Sequence, residues 1–418
     1  MKILVIGATG FIGKSIYEGL KNTDYEIVSG IRNPKRLDGL SIKIDFVALQ
    51  QDKELSKKLV GFDVVINCVG IIAERDGQTF EQMHTMAPIV LFDACKNAQV
   101  RKIIQISALG SQNGTTLYHT SKNKADEYLK GLGVDYAILH PSIVYGDDGK
   151  STALFHALAS LPLTPIIGDG SQKLQPIDVK DLVCTIKTLI LSKEKKIELD
   201  LVGEESITYK ELLQGFRKYL GFNPTKTISV PTFGTDIIGK ILDEPTVNND
   251  NIIMLNEGNI ADVKPLSIFL AYTPIGIKKN LFAKEANNAQ KLYASLYLIR
   301  PLLRLVIGFV WIWSGIVSAF LYPQEKALLL LHDIGITRPL DLPLLYIASF
   351  LDIVLGILTI IGYKLKLLLN LQIIVIVSYT LLLTVLAPFH WLHPFGPVLK
   401  NIPLVITIYI LMKMEQYR

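Results

Sequence analysis

A doubly wound α/β parallel sheet with a small additional lobe, followed by an all-α transmembrane helical bundle, is the fold class that the 418-residue sequence predicts. Three observations predict it. Strand-like runs recur at 2–6, 25–29, 42–46, 63–67, 102–106 and 135–140, with helical patterns such as Gln82 to Gln99 between most of them. A glycine-punctuated segment, Gly7-Ala-Thr-Gly10-Phe-Ile-Gly13, directly follows the first of these runs. Long apolar stretches begin only after residue 300. Strands alternating with helices argue for a parallel sheet covered on both faces, and stretches of about 20 apolar residues argue for membrane spans.

The first strand, Ile3-Leu-Val-Ile6, runs straight into the glycines, and the amphipathic segment Phe11 to Leu20 lies behind them. This is the layout of a Rossmann-like strand, turn and helix whose amino terminus faces a pyrophosphate. Gly7 permits the turn, Gly10 lets the backbone approach the phosphates, and Gly13 lets the helix pack on the strand. Gly7, Thr9, Gly10, Phe11, Ile12 and Gly13 are therefore candidate cofactor contacts, beyond the carboxyl ends of the first and fourth strands. The expected cofactor is a nicotinamide dinucleotide. After the second strand comes Arg32, with Arg36 as a possible helper. An arginine here suits a 2'-phosphate, so NADP is preferred, with NAD as the alternative. Lys35 is read as a solvated turn residue. Asp45, at the end of the third strand, is a candidate near the adenine.

The fourth strand, ending at Asn67, runs into Cys68-Val69-Gly70. Small residues suit a place where the cofactor passes close to the sheet edge, so Cys68, Val69 and Gly70 join the candidates, with Asn67 holding the strand end. His84 has no ligand-spaced partner and is read as structural or surface. The cysteines Cys68, Cys95 and Cys184 lack metal or disulfide spacing and are expected to be buried thiols. His119, His140 and His156 are not expected to bind metal. A net charge of +5 without a dense basic stripe argues against a nucleic-acid partner.

The fifth strand ends in Ser107, and Tyr118 and Lys122 come after it, four apart on one helical face. An ammonium beside a phenol of pKa about 10 would lower it and make proton transfer near neutral pH feasible. The lysine can also hold a nicotinamide ribose, and Ser107 can orient a carbonyl or alcohol oxygen. Ser107, Tyr118 and Lys122 are the candidate catalytic residues.

On these residues, positions 1 to about 290 resemble the extended and atypical short-chain dehydrogenase/reductase superfamily, especially members similar to the 39 kDa accessory subunit of respiratory complex I. Gly7, Gly10 and Gly13 match its fingerprint, Asn67-Cys-Val-Gly70 its fourth-strand motif, and Ser107, Tyr118 and Lys122 its catalytic positions. His140-Pro-Ser-Ile-Val-Tyr-Gly146 is similar to the stretch after its sixth strand, which implies that Pro141 and Ile143 approach the nicotinamide. Residues 142–290 are expected to supply most of a small substrate lobe. Lys196 to Leu201 would complete the sheet, a helix would run from Tyr209 to Leu220, and polar turns would fall at Asn249-Asp-Asn251 and Glu257-Gly-Asn259.

From residue 291 the composition turns apolar, with spans expected at 302–322, 342–362, 367–387 and 398–412. The last is short and depends on tilt or on including Phe395; three spans plus a re-entrant segment is the alternative. Arg300, Arg304, Lys364, Lys366, Lys413 and Arg418 fall on one side, against Lys326, Arg338 and Lys400 on the other. This bias predicts a multi-pass cell (inner) membrane protein with both its termini in the cytoplasm. The start of the chain, without the long apolar region of a secretory signal, agrees with a cytoplasmic nucleotide domain. Asp352 lies inside the second span and is either functional or a packing element. Ser314 and Gly315 offer a thin surface to another helix. Arg304-Leu-Val-Ile-Gly308-Phe-Val-Trp311-Ile-Trp-Ser314-Gly315 and Asp352-Ile-Val-Leu-Gly356 resemble the DoxX-like membrane family, which implies a bundle associated with redox or quinone partners. The combined expectation is a membrane-anchored NAD(P)-dependent oxidoreductase acting on a lipid- or quinone-like carbonyl or alcohol. The alternatives are a nucleotide-binding structural or assembly factor for a membrane redox complex, and a transporter-like bundle regulated by the nucleotide.

Overall fold

A computed structural model describes residues 1–34, 39–75, 77–231, 235–242, 244–394 and 396–416. Lys35, Arg36, Phe395 and Arg418 lie outside the described residues. The chain divides into two compact units, Met1–Lys240 with Glu244–Ser295, and Ile241–Asp243 with Leu296–Arg418.

The first unit is built on β1 (Lys2–Ile6), β2 (Glu26–Ile31), β3 (Ser41–Lys43), β4 (Val64–Asn67), β5 (Lys102–Ile106), β6 (Asp135–Pro141) and β7 (Lys196–Leu201). They form one parallel sheet in the order β7-β6-β5-β4-β1-β2-β3. The order reverses between β1 and β4, which makes the expected switch point. β1 shows why the sheet is covered on both faces. Ile3 and Val5 enter one core cluster with Ile16 and Leu20 of α1 (Phe11–Leu20). Leu4 and Ile6 enter the other, with Leu91 and Phe92 of α2 (Ala87–Asn97) and Ala125 and Leu129 of α3 (Leu117–Gly131). A strand apolar on both faces belongs in the middle of such a sheet. β3 is shorter than expected, because β2 offers it partners only as far as Ile31; Asp45 therefore sits two residues past the strand.

A separate cluster forms where Tyr145 meets Leu212 and Phe216 of α4 (Tyr209–Tyr219) and Phe282. α4 begins with a capping box, Thr208 accepting from the Glu211 N–H while Glu211 accepts from the Thr208 N–H. The polar run at 249–251 is not a turn: it opens α5 (Asn249–Glu257), with the Asn248 side chain accepting from the Asn251 N–H at 2.8 Å. An asparagine-rich run serves turns and helix caps alike, and here the apolar Ile252-Ile-Met-Leu255 behind it settles the matter in favour of a cap. The cysteines also differ from expectation: Cys95 is buried, Cys68 half-buried and Cys184 exposed, on a helix face that leaves the core.

In the second unit, α6 (Ile299–Ile316), α7 (Gln324–Asp333), α8 (Asp341–Ile361), α9 (Leu365–Leu386) and α10 (Asn401–Gln416) are the principal helices. Among the described residues three helical segments are long and apolar enough to cross a membrane; one contains α6, the others are α8 and α9. α10, at 16 residues, falls below the length of about 20 that spans the hydrocarbon; a short 3-10 helix, Pro388–Leu392, and a turn at 397–400 precede it.

Small residues set the approach of α6 to α8. A Cβ at Gly356 would lie 2.5 Å from the Gly308 carbonyl oxygen, and one at Gly315 would lie 2.4 Å from the Ser349 carbonyl oxygen. Backbone-to-backbone contact of this kind cannot yield to a rotamer change. Gly356→Ala is expected to lower the stability of this unit by about 1–3 kcal/mol, read as a lower midpoint of thermal unfolding in detergent. An unchanged midpoint would show that the two helices are free to separate. At one end of the bundle Arg300 donates to Glu415 at 3.4 Å. Asp341 meets His332 at 3.0 Å, and Asp333 meets His390 at 3.1 Å.

Candidate active and cofactor site

The glycine turn is closed by two backbone bonds. The Gly7 N–H donates to the Gly30 carbonyl at 3.1 Å and the Gly10 N–H to the Gly7 carbonyl at 2.9 Å. Gly7 has φ +81°, a left-handed conformation suited to glycine. Gly10 is the N-cap of α1, with no side-chain cap and no acidic residue in the first turn. The amino-terminal N–H groups of α1 are thus not satisfied by a capping side chain, which is what an anionic pyrophosphate requires. Thr9 and Gly10 are exposed, Phe11 and Ile12 half-buried, and Gly13 buried. The ring of Phe11 packs on Gly146, where a Cβ would come within 2.9 Å of it.

Beside this turn, a Cβ on Gly7 would touch the Val69 side chain at 3.1 Å and the Cys68 carbonyl carbon at 3.2 Å. Asn67 holds the end of β4 as expected, donating to Gln105 at 2.8 Å and accepting from the Val69 N–H at 3.2 Å. On the next residue, a Cβ at Gly70 would come within 3.5 Å of the Lys122 Nζ and 3.6 Å of the His84 Nε2. The structure thus brings Gly7, Cys68, Val69, Gly70 and Lys122 into one continuous wall. Pro141 is buried at the end of β6, where its carbonyl accepts from the Leu109 N–H at 3.0 Å. Ile143 is half-buried, its N–H bonded to the Asn259 side chain at 3.0 Å.

Arg32 and Asp45 come together, Nε to Oδ1 at 3.4 Å, with the arginine side chain 60% exposed. The pairing explains how an exposed guanidinium can keep its place at the end of β2.

Tyr118 enters from the first turn of α3, which Thr116 caps by accepting from the His119 N–H at 3.2 Å. Its ring lies edge-on to His84 at 5.3 Å and to Phe80 at 5.8 Å between centroids. The Lys122 Nζ stands 5.6 Å from the same ring and donates to the Ile106 carbonyl at 3.2 Å. Burial changes the electrostatics expected from the sequence. It pushes the Tyr118 phenol above its ordinary value of 10.0, and it lowers the Lys122 ammonium from 10.5 to about 8. The neighbouring cation does not bring the phenol down, because both groups have lost water. Tyr118 is accordingly set to remain protonated near neutral pH.

His84 is buried, as its structural reading requires, and it organises the wall. Its Nε2 accepts from the Ile71 N–H at 2.9 Å, which leaves Nδ1 as donor to the Ser121 hydroxyl at 3.1 Å. Ser121 in turn donates to the Tyr118 carbonyl at 2.9 Å. Burial, and after it the charge of Lys122, holds the imidazole neutral, with its pKa down to about 2. Ser107 sits one strand over at the end of β5, 3% exposed. Its hydroxyl donates to Asp126 and lies 3.3 Å from the Ser111 hydroxyl. Sequence reasoning passed over Asp126 and the role of His84. The one signal for Asp126 was its position four residues beyond Lys122 on the same helical face.

Residues 7–161 match an NAD(P)H-binding family, and residues 308–409 match the DoxX-like family. The chain joins an NAD(P)H-binding domain to a DoxX-like domain. The chain is 24% identical over 305 residues to the Photosystem II assembly factor Ycf39 of Cyanophora paradoxa, covering 70% of this chain and 87% of that one. It is 25% identical over 289 residues to the mitochondrial NADH dehydrogenase [ubiquinone] 1 alpha subcomplex subunit 9 of Mus musculus, covering 63% and 73%. Among solved structures it resembles UDP-glucuronic acid 4-epimerase from Bacillus cereus in complex with UDP-glucuronic acid and NAD. That match has a TM-score of 0.53 at 21% identity and covers 70% of this chain and 99% of that one. At that identity the likeness establishes the fold alone of the NAD(P)H-binding domain, which is Rossmann-like.

The NAD(P)H-binding domain offers one test of cofactor preference. Arg32→Asp is expected to weaken NADPH binding about tenfold or more and NADH binding much less, measured by titrating the two nucleotides against intrinsic fluorescence. Equal losses for both would remove Arg32 from the 2'-phosphate.

Proposed function

We propose that this protein is a membrane-anchored NAD(P)-dependent oxidoreductase acting on a lipid- or quinone-like carbonyl or alcohol, with NADP preferred over NAD. The observation that carries the reading is the wall shared by Gly70, Lys122, Tyr118 and His84 beside the glycine turn. In this reading residues 1–290 form the working domain, the segment 142–290 supplies most of the substrate lobe, and 291–418 is the membrane anchor. The cell membrane holds the anchor, with both termini on the cytoplasmic side, where nicotinamide nucleotides are available.

The nicotinamide, when bound, supplies or takes up the hydride. Tyr118 holds the proton destined for the substrate oxygen, and its burial favours the role of acid over that of base. Lys122 places positive charge behind the phenol and would hold the nicotinamide ribose. Ser107 orients the reacting oxygen. A substrate that partitions into the bilayer would explain why the domain is tethered.

A second reading, a nucleotide-binding assembly or structural factor for a membrane redox complex, is favoured by the similarity to an assembly factor and to a complex I subunit. The two are separated by supplying NADPH and a short-chain quinone or a long-chain ketone to the full chain in detergent. Oxidation of NADPH that depends on the added carbonyl is expected. Tight nucleotide binding without any such turnover across both substrate classes would favour the assembly reading.

A further inference from the structure

Behind Ser107 lies a line of side chains to which the proposed reaction gives no part. The Ser107 hydroxyl donates to the Asp126 carboxylate, which is 1% exposed. The Nε2 of His140, itself 2% exposed, stands 3.9 Å from the same Asp126 oxygen. On its other side the Nδ1 of His140 lies 3.3 Å from Asp200, whose side chain is 45% exposed. The line crosses four elements, from the end of β5 through α3 and β6 to β7, and His140 and Asp200 are partners in register. Two atoms along it, Asp126 Oδ1 and His140 Nε2, are buried without a hydrogen-bond partner. Buried polar atoms left unpaired cost stability, and two on neighbouring side chains of one line call for an explanation.

We propose that Asp126, His140 and Asp200 form a proton line from solvent to Ser107, and that the protonation of Asp126 decides whether Ser107 donates or accepts a hydrogen bond in the cleft. The inference rests on the reading of Ser107 as the residue that orients the reacting oxygen. With Asp126 ionised, the Ser107 proton is committed to the carboxylate, so the serine oxygen can only accept, which suits an alcohol O–H. With Asp126 protonated, its O–H donates to the Ser107 oxygen and frees the serine proton for a carbonyl oxygen. The proton enters from solvent at Asp200, passes through the imidazole of His140, whose two nitrogens exchange one proton for another, and ends on Asp126; no bond other than O–H and N–H is made or broken.

The groups acting on Asp126 are the Ser107 hydroxyl from β5, His140 from β6, and Lys122 and Lys130 from its own helix, all of which favour the carboxylate. Burial opposes them and raises its proton affinity above that of an ordinary aspartate. Asp126, His140 and Asp200 are positioning residues: they act on the substrate only through Ser107.

The test is infrared spectroscopy of the full chain in detergent, tracking the carbonyl stretch of the protonated carboxyl that disappears in Asp126→Asn. Its titration midpoint is expected to move up by about one pH unit in His140→Asn, which removes a group favouring the carboxylate, and down by less in Asp200→Asn, which removes a more distant negative charge. Asp200→Asn, at a half-exposed site, guards against loss of fold in the buried variant, and unfolding midpoints are recorded for both. A midpoint that stays put in both folded variants overturns the line. The readout needs neither substrate nor turnover. Absence of turnover in the wild type would therefore count against the oxidoreductase reading alone, and a fixed midpoint beside normal turnover against the line alone.

Discussion

Replacing Gly13 by alanine is expected to cost the protein about 2–4 kcal/mol of stability and to weaken nucleotide binding roughly 100-fold. The Cβ would lie 2.2 Å from the Gly7 carbonyl oxygen and 2.7 Å from its carbonyl carbon. These are backbone atoms of the turn itself, so no side chain can move aside; α1 must lift away from β1, and its amino terminus moves with it. Gly10→Ala makes the matching control. There the Cβ meets only the Gly7 carbonyl oxygen, at an ordinary 3.4 Å, and Gly10 is exposed. This variant should keep its unfolding midpoint and still lose affinity, since the new methyl stands where the phosphates approach. Thermal unfolding and a fluorescence titration with NADPH measure both quantities. Full affinity in both variants would move the nucleotide away from the glycine turn.

Tyr118→Phe should lower turnover by about 10²–10⁴-fold while leaving NADPH affinity within a factor of two or so. The phenol is the assigned acid, whereas its ring, packed on His84 and Phe80, is kept by phenylalanine. Turnover equal to wild type would sink the assigned proton donor. Lys122 supplies a companion result with two opposite signs. Its ammonium has a folded-state pKa of about 8 against an ordinary 10.5, so between these values the folded chain holds fewer protons than the unfolded one and stability rises with pH. Below pH 8 the buried charge is carried at a cost. Lys122→Met should therefore stabilise the nucleotide-free protein at pH 7 by about 1–3 kcal/mol and yet abolish turnover. Wild-type turnover should fall as pH rises through about 8, when the ammonium loses its charge. A less stable methionine variant would mean that the ammonium is better satisfied than its single carbonyl partner suggests.

Much of this architecture is written in short stretches of the chain. Ile3 to Ile6 is apolar at every position, which only a strand covered on both faces needs, and the glycines after it demand a tight turn and a close helix whatever the rest of the protein does. The spacing of Tyr118 and Lys122 places them on one helical face for the same local reason. The apolar lengths at α8 and α9 likewise need no partner to be recognised, and the fourth stretch, read as short at 398–412, is a helix of 16 residues displaced to Asn401–Gln416. Other features come from segments far apart in sequence. Arg32 meets Asp45 because β2 and β3 pair in a particular register, and Ser107, Asp126, His140 and Asp200 align only once β5, α3, β6 and β7 are assembled.

The sequence by itself therefore determined the class of fold and the presence of an NAD(P)-binding domain, and it named the residues expected around the nucleotide, since periodicity, glycine geometry and helical spacing act over a few residues. Only the tertiary structure decided the chemistry those residues are fit for. Burial raises the Tyr118 phenol and lowers the Lys122 amine against the effect of their proximity, and the loss of water that causes it comes from packing that no local pattern encodes.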